Sequence, residues 1–465
     1  MKTKHQLLQI CLLYAAMLPA VVQAQDYIYK INNGTISITK YTGKVSQWRP
    51  DIANGLSSGG AVTLPDRING LPVTNIGDKA FEECVNLTSV AIGTNVTSIG
   101  ECVFSLRKRP KGVTNTGDGA FSYCHSLTNV TIPHSVTTIG NWAFLECPRL
   151  TSVTIPDSVT NIGSCAFSGC RSLRNVTIPN SVTDIGDMAF GFCNSLTNIA
   201  IGNSVINIGD YAFFNCSNLT SITIPKSATN LGGLAFSGCT RLTAITVDSN
   251  NPAFSSVDGV LFNKNHITFI QFPMGKTGNY NIPNSAINIG DYAFAGCPNL
   301  TGITIPDSVT RLGYMVFANC TSLRAITVDR LNTSFSSLDG VLFDKSQTIL
   351  VDYPNNKARN YTIPNGVAII GTAAFAGCTN VTSVTIPDSV TRIGFHAFAD
   401  CTCLTKIYFN GNAPNIDPDV FLNDINSTIY HLSGTTGWVV FGETQVFTNA
   451  PDATTNNFWR IRSVH

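Results

Sequence analysis

Leu150–Ser172 reads LTSVTIPDSVTNIGSCAFSGCRS. From Leu173 the chain continues LRNVTIPNSVTDIGDMAFGFCNS, and from Leu196 LTNIAIGNSVINIGDYAFFNCSN. One unit therefore returns every 23 residues, a period that suits one strand and one return segment per coil of a solenoid. Val153 and Ile155 alternate with Ser152 and Thr154, the period-2 signature of a strand with one buried face. Pro156 ends that strand, because it has no N–H to give to a ladder. Val159 and Ile162 bring apolar side chains back to the core along a return expected to be irregular. Gly163 turns the chain, Ala166 allows close packing, Phe167 supplies bulk, and Cys170 takes the next inward position. A single unit has no partner for these apolar residues, so it must stack on its neighbours.

The repeated motif, IPxSVTxIGxxAFxxC, resembles that of the BspA-like leucine-rich-repeat surface proteins, the type-5 leucine-rich repeat. The resemblance runs from about Asp26 to Gln445. Ser158 and Ala228 stand where other leucine-rich repeats carry asparagine, as in this subfamily. The resemblance implies an α/β-type repeat solenoid, a right-handed coil with a parallel β-sheet on one face and little regular helix. It also implies a secreted or cell-surface protein that binds or adheres to an extracellular or host protein, without catalysis. Two other readings fit a flat polar strand face: a carbohydrate-binding or structural scaffold of an envelope or matrix, and an ice-binding surface.

At 465 residues the default would be two or three globular domains, but the repeats favour one elongated body. Net charge is +1 and only 12% of residues are charged, so no global field exists to hold nucleic acid. Lys2 and Lys4 precede an apolar run, Leu7–Val22, too short for a comfortable membrane span. Residues 1–24 are thus expected to be a signal peptide, cut after Ala24, with no membrane span in the mature chain. An N-terminal cap is expected over 25–63 and the solenoid over 64–406. Longer units of 35 residues fall at 247–281 and 328–362, a C-terminal cap at 407–448, and a polar tail at 449–465. Each longer unit reads as a β-hairpin added to a coil: Gly259–Phe262 with Ile267–Phe272, and Gly340–Phe343 with Thr348–Tyr353.

Export would suggest disulfides for 15 cysteines. Most, from Cys84 and Cys124 to Cys378 and Cys401, instead sit three residues after the unit's Phe and stack as one core ladder of packing thiols. Neighbouring rungs lie within bridging range, so pairing stays open. Cys102 and Cys165 occupy another repeat position, expected to be more exposed.

Catalytic and cofactor chemistry finds no pattern. Gly55-Leu56-Ser57-Ser58-Gly59 matches G-x-S-x-G but lacks the flanking strand and helix of a nucleophile elbow. His125, His134, His266, His396 and His431 are scattered, without metal-ligand spacing. Asp157, Asp307 and Asp388 follow prolines as turn residues. The outward strand face (Ser152/Thr154, Asn175/Thr177, Ser221/Thr223, Gly302/Thr304, Ser383/Thr385) is small and polar, and lacks the aromatic and Arg anchors of most interfaces. The candidate partner-binding residues therefore lie on irregular surfaces. They are the basic joint Arg107, Lys108, Arg109 and Lys111, the hairpin tips Lys264, His266, Lys345 and Gln347, and Lys406 with Tyr408 on the last rung.

Overall fold

The computed structural model describes residues 26–43, 60–100, 119–424, 427–438, 446–447 and 458–462. The signal segment, the Gly55–Gly59 motif, Cys102 and the basic joint Arg107, Lys108, Arg109 and Lys111 lie outside the described residues. Internal contacts divide the chain into two units, Met1–Asn194 with Asn207–Ala212, and Ser195–Ile206 with Phe213–His465.

The first unit opens on an antiparallel pair, Tyr27–Asn32 and Thr35–Tyr41. Asn33 and Gly34 make the turn, both at positive φ, as a two-residue hairpin requires. Thr35–Tyr41 then pairs in parallel with Leu71–Ile76. That ladder continues through Ser98–Ile99, Thr138–Ile139, Asn161–Ile162, Asp184–Ile185 and Asn207–Ile208. A second parallel ladder joins Gly60–Thr63, Leu87–Ala91, Asn129–Thr131 and Ser152–Val153. The return containing Ile162, expected to be irregular, is thus itself a rung. Its two-residue strands are too short to show period-2 alternation. A third line of bonds links the Ala-Phe segments: the N–H groups of Phe121, Phe144 and Phe167 donate to the carbonyls of Ala143, Ala166 and Ala189, each at 2.8 Å. Backbone donors are satisfied by the neighbouring coil rather than four residues back along the chain. Accordingly no α-helix occurs among the described residues, in keeping with the expected parallel-sheet coil of little regular helix.

The core of this unit is one file of rings. Tyr41, Phe81, Phe121, Phe144, Phe167 and Phe190 stack with centroids from 4.9 to 5.4 Å apart. Tyr41 and Tyr27 extend the file into the opening hairpin, 5.4 Å apart. The cysteine ladder lies beside it, fully buried and unpaired. From Cys124 to Cys193 each thiol donates to the Phe carbonyl of the preceding coil, Cys147 Sγ to Phe121 O at 3.1 Å and Cys170 Sγ to Phe144 O at 3.3 Å. Burial pushes the thiols of Cys84 and Cys193 up to about 12.

The second unit repeats the plan. Ser221–Ile224 pairs with Ala244–Val247, and Gly278–Asn281 with Leu300–Ile305, which pairs in turn with Ala325–Val328, all parallel. Asn360–Thr362, Ser383–Ile386, Lys406–Phe409 and Thr428–Leu432 form a further parallel set. Phe458–Arg462 then closes it antiparallel. Both expected hairpins are present, each with a third strand. The first is Phe254–Val257, Val260–Asn263 and Thr268–Gln271; the second is Phe335–Leu338, Val341–Asp344 and Ile349–Asp352. Each insert hangs on one buried asparagine. Asn332 Nδ2 donates to Pro306 O and Val309 O, and its Oδ1 accepts from the N–H groups of Ser334 and Phe335. Asn251 makes the same four bonds in the first insert. Val341–Asp344 separates two cores: Val341 and Phe343 face one, Leu342 the other. Here the return ladder breaks. One sheet ends at Arg311–Leu312 and another takes up from the second insert.

Candidate interaction surface

The regular Thr positions are spent on stacking. Thr151 Oγ1 donates to Thr128 O at 3.2 Å, Thr160 to Thr137 O at 3.3 Å, and Thr243 to Thr220 O at 3.2 Å. On the outward face Thr223 and Thr246 bond each other, oxygen to oxygen at 2.8 Å. Thr154 and Thr177 are exposed but small.

The hairpin tips are likewise engaged with their own inserts. Lys264 Nζ donates to Ser249 O and Lys345 Nζ to Arg330 O, each at 3.2 Å. His266 and Gln347 take positive φ in the turns, and the His266 ring meets Phe262 edge-on. Lys406 is exposed, and Tyr408 stacks on Tyr430 with centroids 5.0 Å apart. Nothing brings these three places together into one site. Cys165 is half-buried rather than exposed, and burial pushes its thiol up to about 11. The exposed thiol among the described residues is Cys403. No group of His, Cys, Asp or Glu among the described residues gathers to hold a metal ion, and no helix is long and apolar enough to cross a membrane.

A different surface varies from coil to coil. The residue two after the unit's Gly adopts a left-handed conformation in coil after coil. In the first unit it is Trp142 (φ 56), Cys165 (φ 54), Met188 (φ 53) and Tyr211 (φ 56). In the second it is Leu234, Tyr292, Met315, Ala373 and His396, with φ between 49 and 57. The cause is local. A Cβ on Gly163 would lie 2.5 Å from Asn141 N of the preceding coil, so the chain passes close here and must then reverse to send Phe inward. The backbone remains bonded, Trp142 N–H to Ser164 O and Met188 N–H to Asp210 O, both at 2.8 Å. A glycine would take this φ freely, whereas an L side chain costs ~1–2 kcal/mol. The chain nevertheless places Trp, Met, Tyr and Leu there.

In the second unit this edge gathers aromatic groups. Tyr292 and Tyr314 meet edge-on at 5.6 Å, and Tyr314 Oη lies 3.4 Å from His396 Nδ1. His396 stacks on Phe395 at 3.7 Å. Beside them, where the return ladder breaks, lies a cavity of about 100 Å³. Leu312, Tyr314, Met315, Leu342, Asp352 and Thr372 are among its walls. Reading the invariant positions missed this edge. The signal was present in the residues that change between otherwise matching coils.

A family model, the BspA type leucine rich repeat region, matches residues 62–174, 107–193, 160–279, 265–357 and 352–449. A solved leucine rich cell surface protein from Faecalibacterium prausnitzii is 32% identical, over 85% of this chain and 96% of that one, with a TM-score of 0.62. A leucine-rich repeat protein from Bacteroides ovatus is 23% identical over 89% of this chain and 91% of its own, with a TM-score of 0.49. No curated protein is significantly similar to the chain. Repeat unit, coil geometry and family match agree: the chain belongs to the BspA-type leucine-rich-repeat family.

Proposed function

We propose that this chain is an exported, surface-exposed adhesion protein that recognises an extracellular macromolecular partner through its variable left-handed edge, without catalysis. The family and its cell-surface relative support a protein-binding repeat. One observation carries the choice of edge: bulky, coil-specific side chains, Trp142, Met188 and Tyr211 among them, occupy positions whose backbone favours glycine. Strain held at repeated positions points to use, and Trp and Tyr are the residue types that dominate binding energy. Export rests on the Lys2–Ala24 segment, whose cleavage after Ala24 N-terminal sequencing of the extracellular protein would display. The partner is sought by pull-down with the mature chain against a panel of purified extracellular-matrix and cell-surface proteins. A saturable, protein-specific complex supports the reading. Binding to a glycan array alone would favour the carbohydrate-binding reading instead.

A further inference from the structure

The two longer units are near-copies, related by a constant offset of 81 residues, Asn251 to Asn332 and Lys264 to Lys345. They share the same asparagine node and the same lysine-to-backbone bonds. Two substitutions between the copies fall on the cavity. Where the first copy has Gln271 the second has Asp352, and where the coil after the first has Tyr292 the coil after the second has Ala373. A ring is thus replaced by a methyl group, and an amide by a carboxyl.

Asp352 ends the strand Ile349–Asp352 and lines the cavity. The residue is half-buried; among the described residues its carboxyl has no hydrogen bond and no ion pair, and desolvation alone pushes it above the ordinary carboxylate value. Much of the wall around it is apolar, from Leu312, Met315, Val316, Phe317, Leu342 and Val351. A carboxyl placed so is unfavourable for the scaffold, and the first copy shows that the insert forms with a neutral residue there.

We propose that this cavity is a binding site for a primary alkylammonium group, such as the end of a lysine side chain. A cation seated beside the otherwise unpartnered Asp352 would favour its charged form, and the apolar wall accepts a short methylene chain. Asp352, Thr372 and Tyr314, all in the wall, carry oxygen acceptors of the kind the three donors of an ammonium need, whereas a guanidinium brings five donors. A volume of about 100 Å³ suits such a group, since a cavity of ~150 Å³ holds a benzene. Tyr314 and His396, bonded at the edge beside it, belong to the surface proposed above for partner binding. A lysine source rests on that reading; the ammonium chemistry does not.

The test uses the mature full-length chain and isothermal titration with n-butylammonium, with n-butanol as the neutral control. Saturable binding of the ammonium and none of the alcohol is expected. Asp352→Gln copies the first insert's neutral residue and should weaken binding at least tenfold. Ala373→Tyr copies the first insert's ring, keeps the carboxyl, and should block binding equally, so a folding defect in one variant does not decide the matter. Nα-acetyl-lysine methylamide binding as well as butylammonium would assign the site to a protein-borne lysine. Its exclusion, with cadaverine bound, would assign it to a free amine. Failure of butylammonium to bind, equal binding of butanol, or undiminished binding by both variants would overturn the proposal. Each of these results is independent of whether the chain captures a macromolecule.

Discussion

At the residue scale, the Phe file and the unpaired carboxyl make opposite predictions. Phe167 is fully buried between Phe144 and Phe190. Phe167→Ala removes its transfer free energy and leaves a cavity, at a cost of ~3–5 kcal/mol. In a nearest-neighbour array the loss stays near the lesion. Hydrogen exchange should therefore accelerate most in the coils of Phe144 and Phe190, and uniform acceleration across the first unit would contradict the account. Asp352→Asn should stabilise. Asp352 is half-buried, and an acid whose value is raised on folding loses stability as pH climbs above the unfolded value of 3.8 towards the folded one, because the unfolded state ionises first. The variant's advantage, about 1–3 kcal/mol, should be full above the folded value and vanish below pH 3.8. Denaturant titrations at neutral and acid pH measure it. A destabilising effect at neutral pH would mean that the carboxyl serves the scaffold.

At the scale of the element, the inserts show what repeat grammar hides. Asn332 is fully buried and uses both ends of its amide. Asn332→Ala orphans two carbonyls and two N–H groups, and should destabilise the second insert by at least ~2 kcal/mol. Exchange protection of Val341–Asp344 should fall first; unchanged protection there would show that the node is dispensable. The strands that bury Val176 or Ile222 were legible because period-2 alternation repeats at each copy. The return rung at Asn161–Ile162 was not, because two residues carry no period. The third strand of each insert was not legible for a related reason: in Phe254–Val257 and Phe335–Leu338 two adjacent serines break the apolar alternation. Asp352 stands out only when the two inserts are aligned with each other and Gln271 appears opposite it.

For the molecule as a whole, the stabilising columns and the edge proposed for recognition are different parts of the same coil. Ile, Phe and Cys columns are nearly invariant because each coil must fit the next, and their hydrogen bonds are spent between coils. Thr columns are uniform for the same reason. Freedom to vary remains at the left-handed edge, whose backbone is fixed by its neighbours while its side chains are mostly half-buried, with Tyr211 exposed. A protein-binding repeat was legible in the repeat family; the edge proposed here for binding was not, because attention to what repeats passes over what differs. The most direct measurement compares two variants for affinity towards the matrix or cell-surface protein captured by the mature chain. One carries Trp142→Gly, Tyr211→Gly, Tyr292→Gly and Tyr314→Ser, and the other Thr154→Ala, Thr177→Ala, Thr223→Ala and Thr304→Ala. The account predicts that the edge variant binds at least about thirtyfold more weakly, the loss of a single hot spot of ~2 kcal/mol, while the Thr variant binds as the natural chain does. Weakened binding by the Thr variant with the edge variant unaffected would contradict it.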